Sequence, residues 1–162
     1  MELMIRQARA EEAGILAAIE AECFPEAEAA TEKEIRERMG VFLENFLVAE
    51  QDGKVIGFIN GATGDEPHLP DEMYHNTRLH KPDGAYQTVF GLDVLPDFRC
   101  HGVAGRLIDE FVLLAKKRGK KGVVLTCKEH LIHYYEKHGF VKYGLSDSCH
   151  GGATWYDMKC LF

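Results

Sequence analysis

The sequence predicts one mixed α/β domain that spans residues 1–162, with a sheet covered by helices. Strand-like and helix-like segments alternate along the chain, which is typical of layered α/β folds. Neither a repeat nor a low-complexity tract interrupts them. With 162 residues, 46% of them hydrophobic and 28% charged, the chain has the size of one ordinary domain and can bury a sizeable core.

The first half of the chain predicts a strand, two helices and a hairpin, in that order. The strand is LMIRQA, and the helix EEAGILAAIEAEC follows it, with Ile15, Leu16 and Ile19 expected on one buried face. Thr31, with Glu34 three residues later, forms a capping box that opens the helix TEKEIRERMGVF. Two apolar runs then flank Asp52-Gly53, which is the strongest short signal for a β-hairpin.

The second half begins with a polar segment, residues 64–84, that holds Pro67, Pro70 and Pro82 and predicts a long loop beside the functional site. A long strand, AYQTVFGLDVL, comes next, and Gly91 interrupts it where a bulge would fit. From about Gly102 the apolar residues have helical spacing. They are Leu107, Ile108, Phe111, Leu114 and Ala115.

Charge and cysteine content narrow the class of partner. The net charge of −7 argues against nucleic acid and anionic membranes and favours a small cationic substrate. The five widely spread cysteines do not have the spacing of a disulfide framework, and the charged N-terminal segment has no apolar run long enough for a signal peptide or a membrane span. We therefore expect a cytoplasmic location.

The stretch DFRCHGVAGRLIDEF places glycines and arginines in the turn between the long strand and the last predicted long helix. Backbone N–H groups at a helix N-terminus have no internal partners, and the helix dipole is positive there, so the turn suits an anion. Gly102 and Gly105 allow a ligand to approach the backbone, while Arg99 and Arg106 can bridge phosphate oxygens. A pyrophosphate would fit. The spacing does not match a P-loop or a dinucleotide-binding glycine motif.

Two motifs resemble the GNAT superfamily of acetyl-CoA-dependent N-acetyltransferases. The hallmark Q/R-x-x-G-x-G/A after L-x-V-x-P stands here as LDVLPDFRCHGVAG, and YYEKHGF matches the family's later helix and turn. The resemblance covers nearly the whole chain and implies a mostly antiparallel sheet that splays open at its fourth strand, with helices on both faces. Acetyl-CoA would lie in that opening, and the reaction would move its acetyl group directly to a primary amine.

This resemblance also assigns roles to individual residues. Tyr135 corresponds to the family tyrosine that protonates the departing thiolate, and the backbone of Leu92 to Val94 would stabilise the oxyanion. Strand alternation turns the Asp93 side chain away from its two neighbours, so a structural role is expected for it. The residues expected to contact the cofactor are Leu92, Asp93, Val94, Arg99, Cys100, His101, Gly102, Val103, Ala104, Gly105, Arg106 and Tyr135.

The segments FPEAEAAT, DEPHLPDE and LHKPDG look like those of the arylalkylamine and polyamine N-acetyltransferase branch. Vertebrate members of that branch carry two histidines where Thr88 and Phe90 stand, so a histidine proton relay is not expected here. The resemblance to insect members of the branch, which use a glutamate in this segment, implies that Glu28 is the general base. The alternative is that Glu28 belongs to a solvated acidic face.

Several alternatives remain open at the level of sequence. A domain with this fold could bind CoA as a sensor without catalysis, or could acetylate protein N-termini or lysines. The acidic loop residues Asp65, Glu66, Asp71 and Glu72 favour a lid over a small cation instead. Cys127, His130 and His133 have a spacing that could contribute to a zinc site, but it is not a usual zinc signature, and no metal is expected. Pairing of two chains in a homodimer is left open.

Overall fold

The computed structural model describes residues 2–162 and groups them into two compact units. The first unit comprises residues 2–61 and Gly91–Phe111, and the second comprises Ala62–Phe90 and Val112–Phe162. The strands are β1 (Leu3–Gln7), β2 (Phe46–Gln51), β3 (Lys54–Asn60), β4 (Thr63–Gly64), β5 (Tyr86–Thr88), β6 (Gly91–Val94), β7 (Gly122–Cys127), β8 (Val141–Leu145) and β9 (Tyr156–Leu161). The α-helices are α1 (Ala13–Cys23), α2 (Glu32–Phe42), α3 (Val103–Lys117) and α4 (Ile132–Glu136).

The first unit is built on an antiparallel sheet with the strand order β1-β2-β3-β6. Asp52 and Gly53 have φ values of 53° and 80°, so both residues adopt the left-handed backbone that a tight hairpin between β2 and β3 requires. The predicted hairpin is confirmed. At Gly57 the strands β3 and β6 approach so closely that a Cβ would lie 2.4 Å from the Asp93 carbonyl oxygen, which only glycine permits.

Stacked aromatic rings form the centre of the first unit's core. The ring centroids of Phe42 and Phe46 are 5.9 Å apart, and those of Phe46 and Phe58 are 6.3 Å apart. All three side chains are fully buried. Burying a phenylalanine stabilises a fold by about 1.5–3 kcal/mol, so this stack anchors α2 and its exit to the β2–β3 hairpin.

Helices α1 and α2 follow the sequence with one correction. On α1, Leu16 and Ile19 are buried as predicted, but the prediction for Ile15 is wrong because its side chain is 51% exposed. Successive helical residues turn by about 100°, and Ile15 therefore leaves the face on which Leu16 and Glu20, one turn apart, are buried. The Thr31 capping box on α2 is confirmed: Glu34 N donates to Thr31 Oγ1 at 3.1 Å, and Thr31 N donates to Glu34 Oε1 at 3.1 Å.

The second unit holds a mixed sheet with the order β4-β5-β7-β9-β8, in which β5 and β7 are parallel and the other pairs are antiparallel. The polar segment before β5 contains two short 3-10 turns, Asp71–Tyr74 and Thr77–Leu79, as its loop-like composition indicates. No helix in residues 2–162 combines the length and the apolar composition needed to cross a bilayer.

The predicted strand AYQTVFGLDVL is divided between the two sheets. β5 ends at Thr88 and pairs within the second unit, whereas β6 begins at Gly91 and pairs with β3 in the first. The interruption expected at Gly91 is therefore present, and the mixed α/β fold class is confirmed, with one antiparallel sheet and one mixed sheet. The apolar face predicted for α3 is also present, since Leu107, Ile108, Phe111 and Ala115 are buried and Leu114 is half-buried.

Candidate active site

The glycine turn of the first unit lies where the chain passes from β6 into α3. A 3-10 turn, Pro96–Phe98, ends β6, and α3 begins at Val103. Cys100 and Gly102 have φ values of 66° and 81°, so two left-handed residues alternate along the turn. Left-handed residues in a turn are typical of the backbone concavities that bind anions. The side chains of Arg99, Cys100 and His101 are exposed.

The Arg99 side chain binds the end of the strand that precedes the turn. Its Nε donates to the carbonyl oxygen of Val94 at 2.9 Å, and Cys23 Sγ donates to the same oxygen at 3.3 Å. Burial raises the pKa of the Cys23 thiol, and the Arg99 charge opposes part of that rise. The Nε of the guanidinium is therefore held at the end of β6, while the side chain as a whole stays exposed.

β6 is the edge strand of the first sheet, because β3 is its one neighbour there. In an antiparallel edge strand, alternate backbone N–H and C=O groups point away from the partner strand. Leu92 is half-buried, whereas Asp93 and Val94 are buried. Alternate backbone groups of Leu92 to Val94 thus face away from β3 directly before the glycine turn, and among them the Val94 carbonyl oxygen is already bonded to Arg99 and Cys23.

Glu28 lies in the connection between α1 and α2, as the sequence predicted. The connection is compact: the N–H groups of Glu28 and Ala29 both donate to the carbonyl oxygen of Pro25, at 2.8 Å and 2.9 Å. Glu28 is half-buried, unlike its exposed neighbours Glu26 and Glu32. Glu32 forms an ion pair with Arg36 at 2.8 Å, so the acidic residues of this region do not share one environment.

Tyr135 belongs to the second unit, on the short helix α4, and its side chain is only 8% exposed. Its ring meets those of Phe140 and Tyr134 edge-on, with centroids 5.7 Å and 5.5 Å away. The chain also folds back onto the Tyr135 carbonyl oxygen, which accepts from His138 N at 2.9 Å and from Phe140 N at 3.2 Å. The ring is therefore held in a fixed position.

Thr88 and Phe90 stand at the two positions where vertebrate members of the arylalkylamine branch carry histidines. Their side chains make packing contacts and hydrogen bonds inside the second unit. Thr88 is 1% exposed, and its hydroxyl donates to the Ala62 carbonyl oxygen at 2.8 Å. The Phe90 ring lies 4.9 Å from the Tyr74 ring. Neither side chain can titrate, so this strand supplies no proton acceptor at these two positions.

The acidic loop residues proposed as a lid have partners of their own. Asp65 forms an exposed ion pair with Lys81 at 2.9 Å. Asp71 accepts hydrogen bonds from the Ser148 hydroxyl and, at 3.1 Å, from the Cys149 N–H. These contacts attach the turn at Asp71 to the loop before β9. Glu66 and Glu72 are exposed.

The second unit also holds a cluster of aromatic rings near the contact between Asp71 and the loop before β9. The sequence patterns did not predict this cluster. The rings of Tyr74 and His150 are stacked with centroids 4.9 Å apart, and the Trp155 ring lies 6.1 Å from His150. Beside it is a cavity of about 380 Å³. It is lined by His68, Leu69, Pro70, Asp71, Ser146, Asp147, Ser148 and Asp157.

The residues considered for zinc do not converge. Cys127 is buried on β7, His130 lies in the 3-10 turn Glu129–Leu131, and His133 is on α4. Within residues 2–162 no three His, Cys, Asp or Glu side chains are arranged to hold a metal ion. Burial raises the pKa of Cys127 to about 11, so its thiol stays protonated and is a poor nucleophile.

Comparison with known proteins gives a consistent family. Residues 4–140 match the family described as "Acetyltransferase (GNAT) family". The serotonin N-acetyltransferase of Mesocricetus auratus is 28% identical over 128 residues, which are 78% of this chain and 60% of that protein. The chain thus spans less than two thirds of the length of this relative.

Solved structures agree on the fold. The GphF GNAT-like decarboxylase in complex with isobutyryl-CoA superposes with a TM-score of 0.85 at 20% identity, covering 98% of each chain. The PaiA N-acetyltransferase of Thermoplasma acidophilum, in complex with coenzyme A, superposes with a TM-score of 0.72 at 17% identity, covering 100% of each chain. At these identities the likeness concerns the fold alone.

Proposed function

Because the chain belongs to the acetyltransferase (GNAT) family, we propose that it moves an acetyl group from acetyl-CoA to the primary amine of a small molecule, by direct transfer. The observation that carries this proposal is the turn from Arg99 to Gly105, with left-handed backbone at Cys100 and Gly102. Such a turn at the start of a long helix suits a pyrophosphate, and CoA has one.

The cofactor would lie along the turn and the edge strand before it. The backbone amides from Cys100 to Gly105 would hold the pyrophosphate, and Arg99 and Arg106 would add positive charge. The free edge of β6 would bind the pantetheine arm through its backbone groups, as an added strand binds a sheet. This places the thioester near Leu92 to Val94.

The chemistry needs a base, an oxyanion site and an acid. An alkylammonium has a pKa of about 10, so it must lose a proton before attack, and Glu28 is the proposed acceptor. Attack on the thioester forms a tetrahedral oxyanion, which N–H groups of the β6 edge would stabilise. Collapse breaks the C–S bond, and the Tyr135 hydroxyl would protonate the leaving thiolate.

Among amines, the second unit favours those with an aromatic ring or with several positive charges. The half-buried rings of Phe90, His150 and Trp155 surround the buried ring of Tyr74 and would provide flat surfaces for stacking. The neighbouring cavity carries Asp71, Asp147 and Asp157, and carboxylates attract ammonium groups. Serotonin, the amine in the relative's name, is an arylalkylamine, which agrees with the aromatic surface.

Two other functions stay in view: a CoA-binding sensor without catalysis, and acetylation of protein N-termini or lysines. A screen separates them from the proposal. Acetyl-CoA is incubated with arylalkylamines, polyamines, aminoglycosides and short peptides, and thiol release is followed. We expect amine-dependent release with arylalkylamines or polyamines. Release with peptides alone would favour the protein substrate, and tight acetyl-CoA binding without any release would favour the sensor.

A further inference from the structure

Two carboxyl groups meet inside the first unit, at a place that the proposed chemistry does not use. Glu20 on α1 is 5% exposed, and Asp93 on β6 is 1% exposed. A Cβ on Gly91 would lie 3.0 Å from Asp93 Oδ1 and 3.6 Å from Glu20 Oε1. Both carboxyl groups therefore converge on the space that Gly91 leaves by having no side chain.

The hydrogen bonds of this pair are incomplete if both groups are ionised. Glu20 Oε2 accepts from the Ala30 N–H at 3.0 Å. Glu20 Oε1 and both oxygens of Asp93 find no donor within residues 2–162. One proton on either carboxyl group would supply the missing donor, because its O–H could then donate to the other carboxylate.

The surrounding charges also favour one proton on the pair. Arg38, on α2, is 3% exposed, and its Nη1 donates to Asn60 Oδ1 of β3 at 3.3 Å. With one proton, the pair keeps a single negative charge, which the nearby Arg38 guanidinium stabilises. Burial, followed by the charge of Glu20, raises the pKa of Asp93 well above its ordinary value, and Arg38 offsets part of that rise. The thiol of Cys23, also on α1, is kept neutral by burial.

The pair joins two segments to which the proposed function assigns substrates. Through Ala30, Glu20 holds the connection that carries Glu28. Asp93 stands between Leu92 and Val94 on the edge strand proposed for the thioester. Cys23, one turn after Glu20 on α1, makes a second link to this strand through the Val94 carbonyl oxygen.

We propose that Glu20 and Asp93 share one proton and thereby act as a positioning pair, which fixes the α1–α2 connection against β6 and sets the approach of the acceptor amine to the thioester. The role in catalysis rests on the proposed function. The shared proton and the fixed connection do not, and they can be measured without any substrate.

The shared proton is tested by infrared spectroscopy of the full chain in H₂O and D₂O at neutral pH. Wild type should show the carbonyl band of a protonated carboxylic acid, shifted in D₂O. Asp93→Asn should lack this band, because the new amide donates to an ionised Glu20. Glu20→Gln should also lack it, because its amide donates to an ionised Asp93. The matched control Glu22→Gln, on the exposed side of α1, should keep the band. A folded wild type without the band would overturn the pair, as would a band that survives in both folded amide variants.

The fixed connection is tested at Ala30 by amide hydrogen exchange. Glu20→Ala removes the acceptor of this N–H, so exchange should become faster, while Glu20→Gln keeps an acceptor oxygen and should restore protection. In kinetics, Glu20→Ala should raise the KM for the amine by about tenfold, as loss of a charged hydrogen bond predicts, with the KM for acetyl-CoA little changed.

The outcomes separate the two levels of the proposal. Unchanged exchange at Ala30 in Glu20→Ala, or failure of Glu20→Gln to restore it, would contradict the positioning role. An equal rise of both KM values would contradict its selectivity for the amine. If wild type acetylates no amine, the proposed function fails, whereas the infrared band and the exchange at Ala30 still decide whether the pair exists and fixes the connection.

Discussion

Asp93 and Glu20 lie with their carboxyl groups side by side in the buried interior next to Gly91, one on the edge strand β6 and the other on α1. The packing of α1 does not depend on this pair, because the apolar side chains of Leu16 and Ile19 are buried on the same helix. The proximity of the two carboxyl groups has a consequence for stability that is independent of substrate.

Asp93→Asn should make the stability of the protein less dependent on pH. The pKa of Asp93 is raised in the folded state above its ordinary value of 3.8, so folding retains a proton that the unfolded chain releases. The retained proton stabilises the folded state fully at pH values below the pKa that Asp93 has in the unfolded chain. As pH rises from there toward the pKa of Asp93 in the folded protein, this stabilisation is lost by about 1.4 kcal/mol per pH unit for one proton. The free energy of unfolding of the variant minus that of wild type should therefore increase with pH in this window.

Urea unfolding at several pH values between about 4 and 8 measures this difference. The range begins near the pKa that aspartate usually has in an unfolded chain. Glu22→Gln serves as the control, and its difference from wild type should change little with pH. A difference for Asp93→Asn that stays constant across the range would mean that Asp93 is ionised in the folded protein.

Gly102→Val should weaken acetyl-CoA binding by about tenfold or more, because a β-branched residue resists the left-handed backbone that directs the amides of the turn. A Cβ at Gly102 meets no atom within 4 Å, so the effect would come from the backbone and not from a clash. Gly53→Val is a matched control, with φ of 80° against 81° and equally open space. Calorimetry should show weaker acetyl-CoA binding for Gly102→Val alone; equal affinity in the two variants would place the cofactor elsewhere.

Tyr135→Phe should lower kcat about 100-fold while leaving both KM values nearly unchanged, because it removes the proton that the leaving thiolate needs and keeps the ring. The ring contacts with Phe140 and Tyr134 can persist in this variant. Tyr134→Phe, the neighbouring and half-buried tyrosine, is the control and should retain kcat. Normal turnover in Tyr135→Phe would assign Tyr135 to packing.

Glu28→Gln should slow turnover at neutral pH and recover part of it at high pH, where more of the amine is already deprotonated. Glu26→Gln, exposed in the same connection, should follow the wild-type pH profile. A Glu28→Gln enzyme with wild-type turnover and profile would make Glu28 a surface residue. Glu66 and His80 in the long loop would then be examined; His80 Nδ1 accepts from the Thr63 N–H at 3.0 Å.

Local sequence patterns were sufficient for several elements of the fold. The Asp52-Gly53 hairpin, the Thr31 capping box and the interruption at Gly91 depend on a few adjacent residues, and each was predicted correctly. Ile15 was assigned to the wrong face, because a helix with apolar residues on several sides gives a weak periodic signal.

Contacts between distant segments were beyond the reach of these patterns. Alternation along β6 indicates that Asp93 points away from Leu92 and Val94, but it does not say that α1 covers that side with Glu20. In the same way, nothing near Asp71 in the sequence points to its hydrogen bond with Ser148. Pairs of this kind follow from the packing of whole elements.

The central claim, direct acetyl transfer from acetyl-CoA to a small amine, is tested most directly by mass spectrometry of a single turnover. Enzyme, acetyl-CoA and the best amine from the screen are mixed, and the reaction is quenched at successive times. The amounts of product and CoA and the mass of the intact protein are then measured. We predict one acetylated amine for each CoA released, with the protein mass unchanged throughout. CoA release without acetylated amine, or an acetyl group that first accumulates on the protein, would contradict the account.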